Sequence, residues 1–123
     1  MTIAFWCVLI AGLLPYAATL TAKLGAPFDN HRPREWLLAQ GGWRARANAA
    51  QLNGFEAFPL FAAAVLSAHL IHGPQSRVDL LALAFIGCRL VYFGAYLGDA
   101  ASLRSLAWLA GIACAVAIFI VGN

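Results

Sequence analysis

The feature that most limits the possible folds of this chain is a set of four long stretches with almost no charged residues. A helix rises about 1.5 Å per residue, so about 20 residues cross a hydrocarbon core of roughly 30 Å. Only 11% of the 123 residues are charged, whereas soluble domains have about 25%. Each stretch is therefore a candidate membrane span. The stretches are residues 1–22, 47–72, 78–98 and 105–122.

The sequence predicts a single all-α domain over residues 1–123, an integral membrane four-helix bundle with up-down topology. Short connections join the second, third and fourth helices, which favours antiparallel neighbours. Gly73 and Pro74 end the second helix. The predicted helices span about residues 2–23, 44–72, 77–98 and 102–122.

The first stretch is predicted to be a helix of the mature protein rather than a secretory signal. It lacks a basic leading region, and no clear small-residue cleavage site precedes Lys23. Residues 24–43 then combine prolines and glycines with most of the charge, which is typical of a loop. Within this loop, residues 33–38 form a candidate interfacial helix, because Pro33 suits a first helical position and Trp36 a membrane boundary.

The distribution of Lys and Arg predicts the orientation in the membrane. Six of these residues flank the first and third loops, whereas the second loop holds one, Arg77. Because basic loops stay in the cytoplasm, the first and third loops are predicted to be cytoplasmic and the termini to lie on the opposite side. This asymmetry also explains the net charge of +3 without a nucleic-acid partner. The compact loops suit a bacterial inner-membrane protein. The six residues are Lys23, Arg32, Arg34, Arg44, Arg46 and Arg104.

Asn53 and Glu56 place an amide and a carboxylate inside an otherwise apolar segment. Ionisable groups in membrane helices usually face the bundle interior or a wet cavity, and they indicate a functional site with a partner. The predicted partner of Glu56 is Arg89. At about 100° per residue, Arg46, Ala49, Asn53 and Glu56 fall within an arc of about 80°, so they form one polar stripe.

A second polar stripe lies on the third helix, where Arg89, Tyr92 and Tyr96 recur at i, i+3 and i+7. Two interpretations stay open. In the structural one, Glu56 pairs with Arg89 and the tyrosines anchor at the membrane interface. In the functional one, the stripes line a polar pocket for a charged or zwitterionic ligand. Arg104 approaches this pocket from the start of the fourth helix, where a cation stabilises an anion such as a thiolate.

The cysteines and histidines predict neither a disulfide framework nor a metal site. Cys7, Cys88 and Cys114 lie in three different apolar stretches, as small buried hydrophobic residues do. His69 and His72 share a helix face, but without a third ligand nearby they are expected to lie at the membrane interface.

The polar stripes resemble those of the MAPEG family, the membrane-associated proteins in eicosanoid and glutathione metabolism, which includes microsomal glutathione transferases and leukotriene-C synthase. Residues 50–61 (AQLNGFEAFPLF) resemble the second-helix signature, an Asn followed three residues later by Glu and then by an aromatic-Pro-apolar-Phe run. Residues 89–93 (RLVYF), with Tyr96, resemble the third-helix pattern. Leu103 and Arg104 resemble the pair that opens the fourth helix, so the resemblance covers nearly the whole chain.

The resemblance implies a homotrimer that binds glutathione as a co-substrate at subunit interfaces near the cytoplasmic side. Arg104 would be the catalytic residue that stabilises the glutathione thiolate, and Tyr92 and Tyr96 would reach glutathione from a neighbouring subunit. The thiolate would attack a lipophilic electrophile that arrives through the bilayer, or would reduce a peroxide. The glutathione-binding residues implied are Arg46, Gln51, Asn53, Glu56, Arg89, Tyr92 and Tyr96.

The chain departs from the family pattern at two positions. Ala49 stands where the eicosanoid enzymes carry an Arg that clamps a glutathione carboxylate, and Arg46 is a candidate replacement one turn earlier. Ala57 stands where the eicosanoid synthase has a Tyr. The family also includes a member without catalysis, so a lipid- or partner-binding protein is the alternative function. A small multidrug exporter is a third class, but such exporters carry their carboxylate in the first helix, which has none here.

Overall fold

The computed structural model describes residues 1–122, which form five α-helices. Four of them are long and apolar enough to cross a membrane, which confirms the predicted all-α membrane bundle. The other is the short helix that was predicted to begin at Pro33. The helices are α1 (Ile3–Lys23), α2 (Pro33–Leu38), α3 (Gly42–Leu70), α4 (Gln75–Leu97) and α5 (Ala101–Gly122).

The four long helices form a bundle in which α1, α3, α5 and α4 follow one another around the axis, and α3 also touches α4. Antiparallel packing of α1 on α3 brings Pro15 beside Gly54. α1 and α4 run in parallel, and the Ala4 N–H at the start of α1 donates a hydrogen bond to Asp79 Oδ1 at 2.8 Å. The alternating directions agree with the predicted up-down order.

The core is built largely from small side chains, which allow membrane helices to approach closely. Two larger side chains fill it, since Phe61 of α3 stacks on Phe85 of α4 with ring centroids 3.9 Å apart. Many Leu and Ile side chains lie on the outside of the bundle, as expected for a surface that meets lipid. The buried alanines of α1, α3 and α4 include Ala4, Ala11, Ala18, Ala22, Ala47, Ala64, Ala68 and Ala82.

The loop between α1 and α3 is held against the helix ends on both sides. Leu37 of α2 is buried in a small cluster with Ala22 and Ala47. Arg44 Nη2, in the first turns of α3, donates a hydrogen bond to the Leu24 carbonyl at 2.7 Å. A basic side chain at this place also offsets the partial negative charge of the α1 C-terminus.

The observed helix bounds differ from the predicted ones by at most two residues. The end of α3 shows why. His72 has a φ of 57°, in the left-handed region, so the helix cannot continue through it and ends at Leu70. The Gly73 N–H then donates to the Ala68 carbonyl at 2.8 Å, and the chain turns into α4.

Gly54 is required by the close approach of α1 and α3. A Cβ atom added there would lie 2.8 Å from Pro15 Cγ, which is shorter than a van der Waals contact. Gly87 of α4, in contrast, has no atom within 4 Å of such a Cβ. The two glycines are therefore a matched pair, in which one position is crowded and the other is open.

We expect Gly54→Ala to lower the free energy of unfolding by about 1–3 kcal/mol, because the added methyl group overpacks the contact with Pro15. Gly87→Ala should leave it unchanged or raise it by up to about 1 kcal/mol, since Ala favours a helix over Gly. Denaturation of the detergent-purified variants measures both. Equal losses in the two variants would contradict the close packing of α1 on α3.

Candidate functional site

A cleft of about 240 Å³ opens where α3, α4 and α5 meet, at the end of the bundle that carries the first and third loops. We call it the polar cleft. α3 contributes an amide, α4 two phenols, and the first two turns of α5 a guanidinium, a hydroxyl and an indole. The residues that line the polar cleft are Asn53, Tyr92, Tyr96, Arg104, Ser105 and Trp108.

Local helix spacing places the tyrosines and arginines of the cleft. Tyr92 and Tyr96 are four residues apart on α4, and their rings meet edge to face with centroids 5.5 Å apart. The Arg104 guanidinium lies 4.6 Å from the centroid of the Tyr96 ring, so a cation of α5 is held over an aromatic face of α4. On the buried side, the Arg89 guanidinium lies 4.3 Å from the Tyr92 ring.

A second, mostly apolar space of about 190 Å³ adjoins the polar cleft between α3, α4 and α5. We call it the apolar cavity. Asn53 and Trp108 line both spaces. The apolar cavity could therefore hold an uncharged group beside a polar one in the cleft. Its other lining residues are Glu56, Ala57, Leu60, Phe85, Arg89, Gly111, Ile112 and Ala115.

The side-chain oxygen of Asn53 lies in the wall of these two spaces without a hydrogen-bond donor among the described residues. Asn53 Oδ1 is buried and has no hydrogen-bond partner within residues 1–122. A buried acceptor left in this way destabilises the protein by about 1–3 kcal/mol. A ligand that donates a hydrogen bond to this oxygen would remove the penalty, so Asn53 is a candidate recognition residue.

The predicted ion pair between Glu56 and Arg89 is not formed. Among the described residues, the salt bridge present joins Arg32 and Glu35 at 3.7 Å on the surface. Arg89 is 8% exposed and instead stacks on Tyr92, one turn along its own helix, whereas Glu56 is exposed. Arg89 thus has a local i, i+3 cation–π contact in place of the ion pair, and the Glu56 carboxylate lies on the wall of the apolar cavity.

Two residues predicted to bind glutathione lie elsewhere. Arg46 donates from Nε and Nη2 to the Leu97 carbonyl, at 3.3 and 3.2 Å, and so caps the C-terminus of α4. Gln51 lines neither the polar cleft nor the apolar cavity, because two residues along a helix turn it about 200° from Asn53. Its buried Oε1 also lacks a partner within the described chain. Their roles in ligand binding stay predictions.

Tyr92 and Tyr96 share a cleft with Asn53 within one protomer. Their predicted contact with a ligand bound by a neighbouring subunit stays a prediction. Tyr92, Tyr96 and Arg104 lie together because α4 and α5 are antiparallel and joined by a short turn. The C-terminal end of α4 therefore meets the first turn of α5. Packing of α3 beside α5 adds Asn53.

Sequence reasoning missed Ser105 and Trp108. Trp108 stands four residues after Arg104, which puts both on one face of α5, and it is 42% exposed. The i, i+4 spacing from Arg104 was the signal in the sequence that could have placed Trp108 beside the predicted site. Trp108 forms part of the boundary between the polar cleft and the apolar cavity.

His69 and His72 lie at the opposite end of the bundle from the polar cleft. The His69 ring packs edge to face against Phe5 with centroids 4.8 Å apart, so it serves the contact between α1 and α3. His72 belongs to the turn after α3. Within residues 1–122, no three His, Cys, Asp or Glu side chains come together in a group that could hold a metal ion.

Comparison with known proteins places this arrangement in a family. The sequence profile of the MAPEG family matches residues 3–122, which is nearly the whole chain and includes every residue of the cleft and the cavity. No curated protein matches the chain.

We expect Arg46→Gln to lower the free energy of unfolding by about 1–3 kcal/mol, because it removes two charge-assisted hydrogen bonds to the Leu97 carbonyl. Arg34→Gln, at an exposed position of α2, should change it by less than about 0.5 kcal/mol. Thermal unfolding of both variants in detergent tests this. An unchanged stability of Arg46→Gln would show that the hydrogen bonds to the Leu97 carbonyl do not stabilise the protein.

Proposed function

The chain belongs to the MAPEG family, and we propose that it is a glutathione-dependent membrane transferase or peroxidase that acts on lipophilic electrophiles. The observation that carries the proposal is the orphaned Asn53 Oδ1 in a polar cleft with two tyrosines and an arginine, next to an apolar cavity. Glutathione supplies amide and ammonium donors for the acceptor. Its thiol lies between two polar parts of the peptide, so glutathione could bind in the polar cleft with its thiol beside the apolar cavity.

The cleft suits thiolate chemistry because of Arg104. A positive charge close to a thiol favours the thiolate, which is the nucleophilic form. The Arg104 guanidinium is held over Tyr96 and is half-buried, so its field is screened less than that of a fully exposed cation. In the proposed reaction, the thiolate sulfur attacks the electrophilic carbon, a thioether forms, and the leaving group departs or the epoxide opens.

The electrophile would occupy the apolar cavity. The enzyme's contribution would be mainly alignment and a lowered barrier to thiol ionisation, since no covalent bond to the protein is needed. For a peroxide, the thiolate would attack oxygen, and a second glutathione would complete the reduction to alcohol, water and glutathione disulfide.

We also propose an orientation in the membrane and an oligomeric state for the protein. The first and third loops lie in the cytoplasm, where glutathione is abundant, and the polar cleft opens at that end of the bundle. The membrane we propose is a bacterial inner membrane, and the proposed assembly is a homotrimer. In the trimer, neighbouring protomers would cover part of the cleft and exclude water from it.

A non-catalytic lipid- or partner-binding protein is the second candidate, and a specific observation favours it. Ala49 removes the arginine that related enzymes are expected to carry, and Arg46, its candidate replacement, is engaged by the Leu97 carbonyl. A carboxylate of glutathione thus has fewer cations to meet on α3. Turnover measurements decide between the two candidates.

We expect the purified protein to conjugate glutathione to small aromatic halides or lipid epoxides, and Arg104→Gln to lower kcat/KM by about tenfold or more. The reason is that one unit of thiol pKa corresponds to a tenfold change in ionisation near neutral pH. Arg77→Gln, an exposed arginine at the other end of the bundle, is the matched control and should retain activity. Absorbance of the bound thiolate should fall in parallel with kcat/KM.

Binding of glutathione without turnover of any electrophile would favour the non-catalytic candidate. Failure to bind glutathione at millimolar concentration would contradict both the transferase and the peroxidase.

We expect Asn53→Leu to weaken glutathione binding by about three- to tenfold, because it removes one acceptor worth about 0.5–1.5 kcal/mol. The same variant should unfold at an equal or higher temperature without ligand, since it eliminates a buried orphaned oxygen. Asn48→Leu, at a buried amide of α3 outside the cleft, is the control for binding. A purely structural Asn53 would give the reverse pattern: lower stability and unchanged affinity.

A further inference from the structure

Two arginines and two tyrosine rings form one continuous stack from the interior of the bundle to the polar cleft. The Arg89 guanidinium lies over the Tyr92 ring, 4.3 Å from its centroid. The Tyr92 and Tyr96 rings meet edge to face, with centroids 5.5 Å apart. The Arg104 guanidinium ends the stack, 4.6 Å from the centroid of the Tyr96 ring. Arg104 of α5 is thus in contact with a row of side chains that belong to α4.

The contact with Tyr96 leaves the hydrogen-bond donors of Arg104 free. A guanidinium presents its N–H donors in a planar fork, and within residues 1–122 the Arg104 side chain makes neither a hydrogen bond nor an ion pair. Arg46 is the opposite case, since the Leu97 carbonyl takes its Nε and Nη2. An aromatic face attracts a cation through its quadrupole. The ring can therefore fix the place of the charge while the N–H groups stay available to an anion.

The Tyr96 ring is itself fixed by packing. It is half-buried and lies against a small cluster formed by Ala50 of α3, Tyr92 of α4 and Ala107 of α5. Ala107 stands three residues after Arg104, on the same side of α5. A tyrosine has few rotatable side-chain bonds, so little conformational entropy is lost when its ring is held. The ring is thus a firm support for the longer and more flexible arginine.

We propose that Tyr96 is a positioning residue, whose ring face holds the Arg104 guanidinium in the polar cleft with its N–H donors free to meet the thiolate of glutathione. This inference rests on the proposed function, in which Arg104 stabilises that thiolate. The family resemblance implies a glutathione contact for Tyr96 as well, and a contact through the hydroxyl would act on affinity. The ring acts on the ionisation of the thiol, so the two parts of this side chain have separable effects.

Two substitutions separate the ring from the hydroxyl. Tyr96→Phe keeps the ring, and Tyr96→Leu removes it. Phe93→Leu is the matched control, because it makes the same kind of change on α4 at a ring that lines neither the polar cleft nor the apolar cavity. All variants are compared with the parent protein as purified full-length chains in lipid nanodiscs.

The first measurement needs no glutathione. Phenylglyoxal modifies arginine side chains, and mass spectrometry of the peptides gives the rate at each one. We expect Arg104 in Tyr96→Leu to react about two- to fivefold faster than in the parent protein, which corresponds to the usual strength of a cation–π contact. Tyr96→Phe and Phe93→Leu should match the parent rate. The exposed Arg34 should react equally in every variant.

The second measurement is the pH midpoint of the thiolate absorbance of bound glutathione. Tyr96→Leu should raise the midpoint by about 0.3–0.7 pH unit, because a less well placed cation stabilises the thiolate less and the pKa of the thiol rises. Tyr96→Phe should keep the parent midpoint, and loss of its hydroxyl should appear in the glutathione concentration at half-saturation. Tyr92, Glu56 and Arg89 also face these spaces and are the same in every variant, so the midpoint reports on Arg104.

An unchanged rate of Arg104 modification in Tyr96→Leu would overturn the proposal, and so would a Tyr96→Phe variant with the midpoint of Tyr96→Leu. A parent protein that binds no glutathione would contradict the proposed function instead, while the modification rates would still show whether the ring holds Arg104.

NMR of isotope-labelled arginine side chains in the parent protein decides if Tyr96→Leu fails to fold. A guanidinium over the face of a ring has resonances shifted upfield by the ring current, and the Arg104 signal is assigned by its loss in Arg104→Gln. An upfield shift would support the proposal, and its absence would overturn it.

Discussion

A bilayer supplies no water to polar groups, and this constraint acts on each polar side chain inside the bundle. Arg89, a buried cation of α4, has a cation–π contact with the Tyr92 ring. Asp79 meets the constraint by accepting hydrogen bonds from the Ala4 N–H and from Gln75. Asn53 Oδ1 and Gln51 Oε1 are buried without a partner among the described residues, and of the two only Asn53 lines the polar cleft.

The fold was readable from the sequence because it depends on hydropathy and on helix breakers. Uncharged stretches set the spans, and Pro33, Gly73 and Pro74 set the breaks. The prediction of an ion pair between Glu56 and Arg89 was wrong. Two opposite charges at similar depth in the sequence do not reveal that the cation instead contacts a ring on its own helix, that of Tyr92.

The candidate site was predicted in part. The signature residues Asn53, Tyr92, Tyr96 and Arg104 do share one cleft. Spacing along one helix shows which residues share a face, but not which neighbouring helix that face meets. The hydrogen bonds from Arg46 to the Leu97 carbonyl depend on the axial offset between helices, and one sequence does not specify that offset.

The link from Arg46 to the Leu97 carbonyl joins the start of α3 to the end of α4, while Asp79 joins the start of α4 to the start of α1 at the other end of the bundle. Together these hydrogen bonds restrain α1, α3 and α4 from sliding along one another. Neither set of hydrogen bonds involves α5, which carries Arg104 and Trp108. α5 is held instead by its packing on α4, the most extensive helix contact in the bundle, and on α3, so the position of the wall that carries Arg104 and Trp108 depends on how well those apolar surfaces fit together.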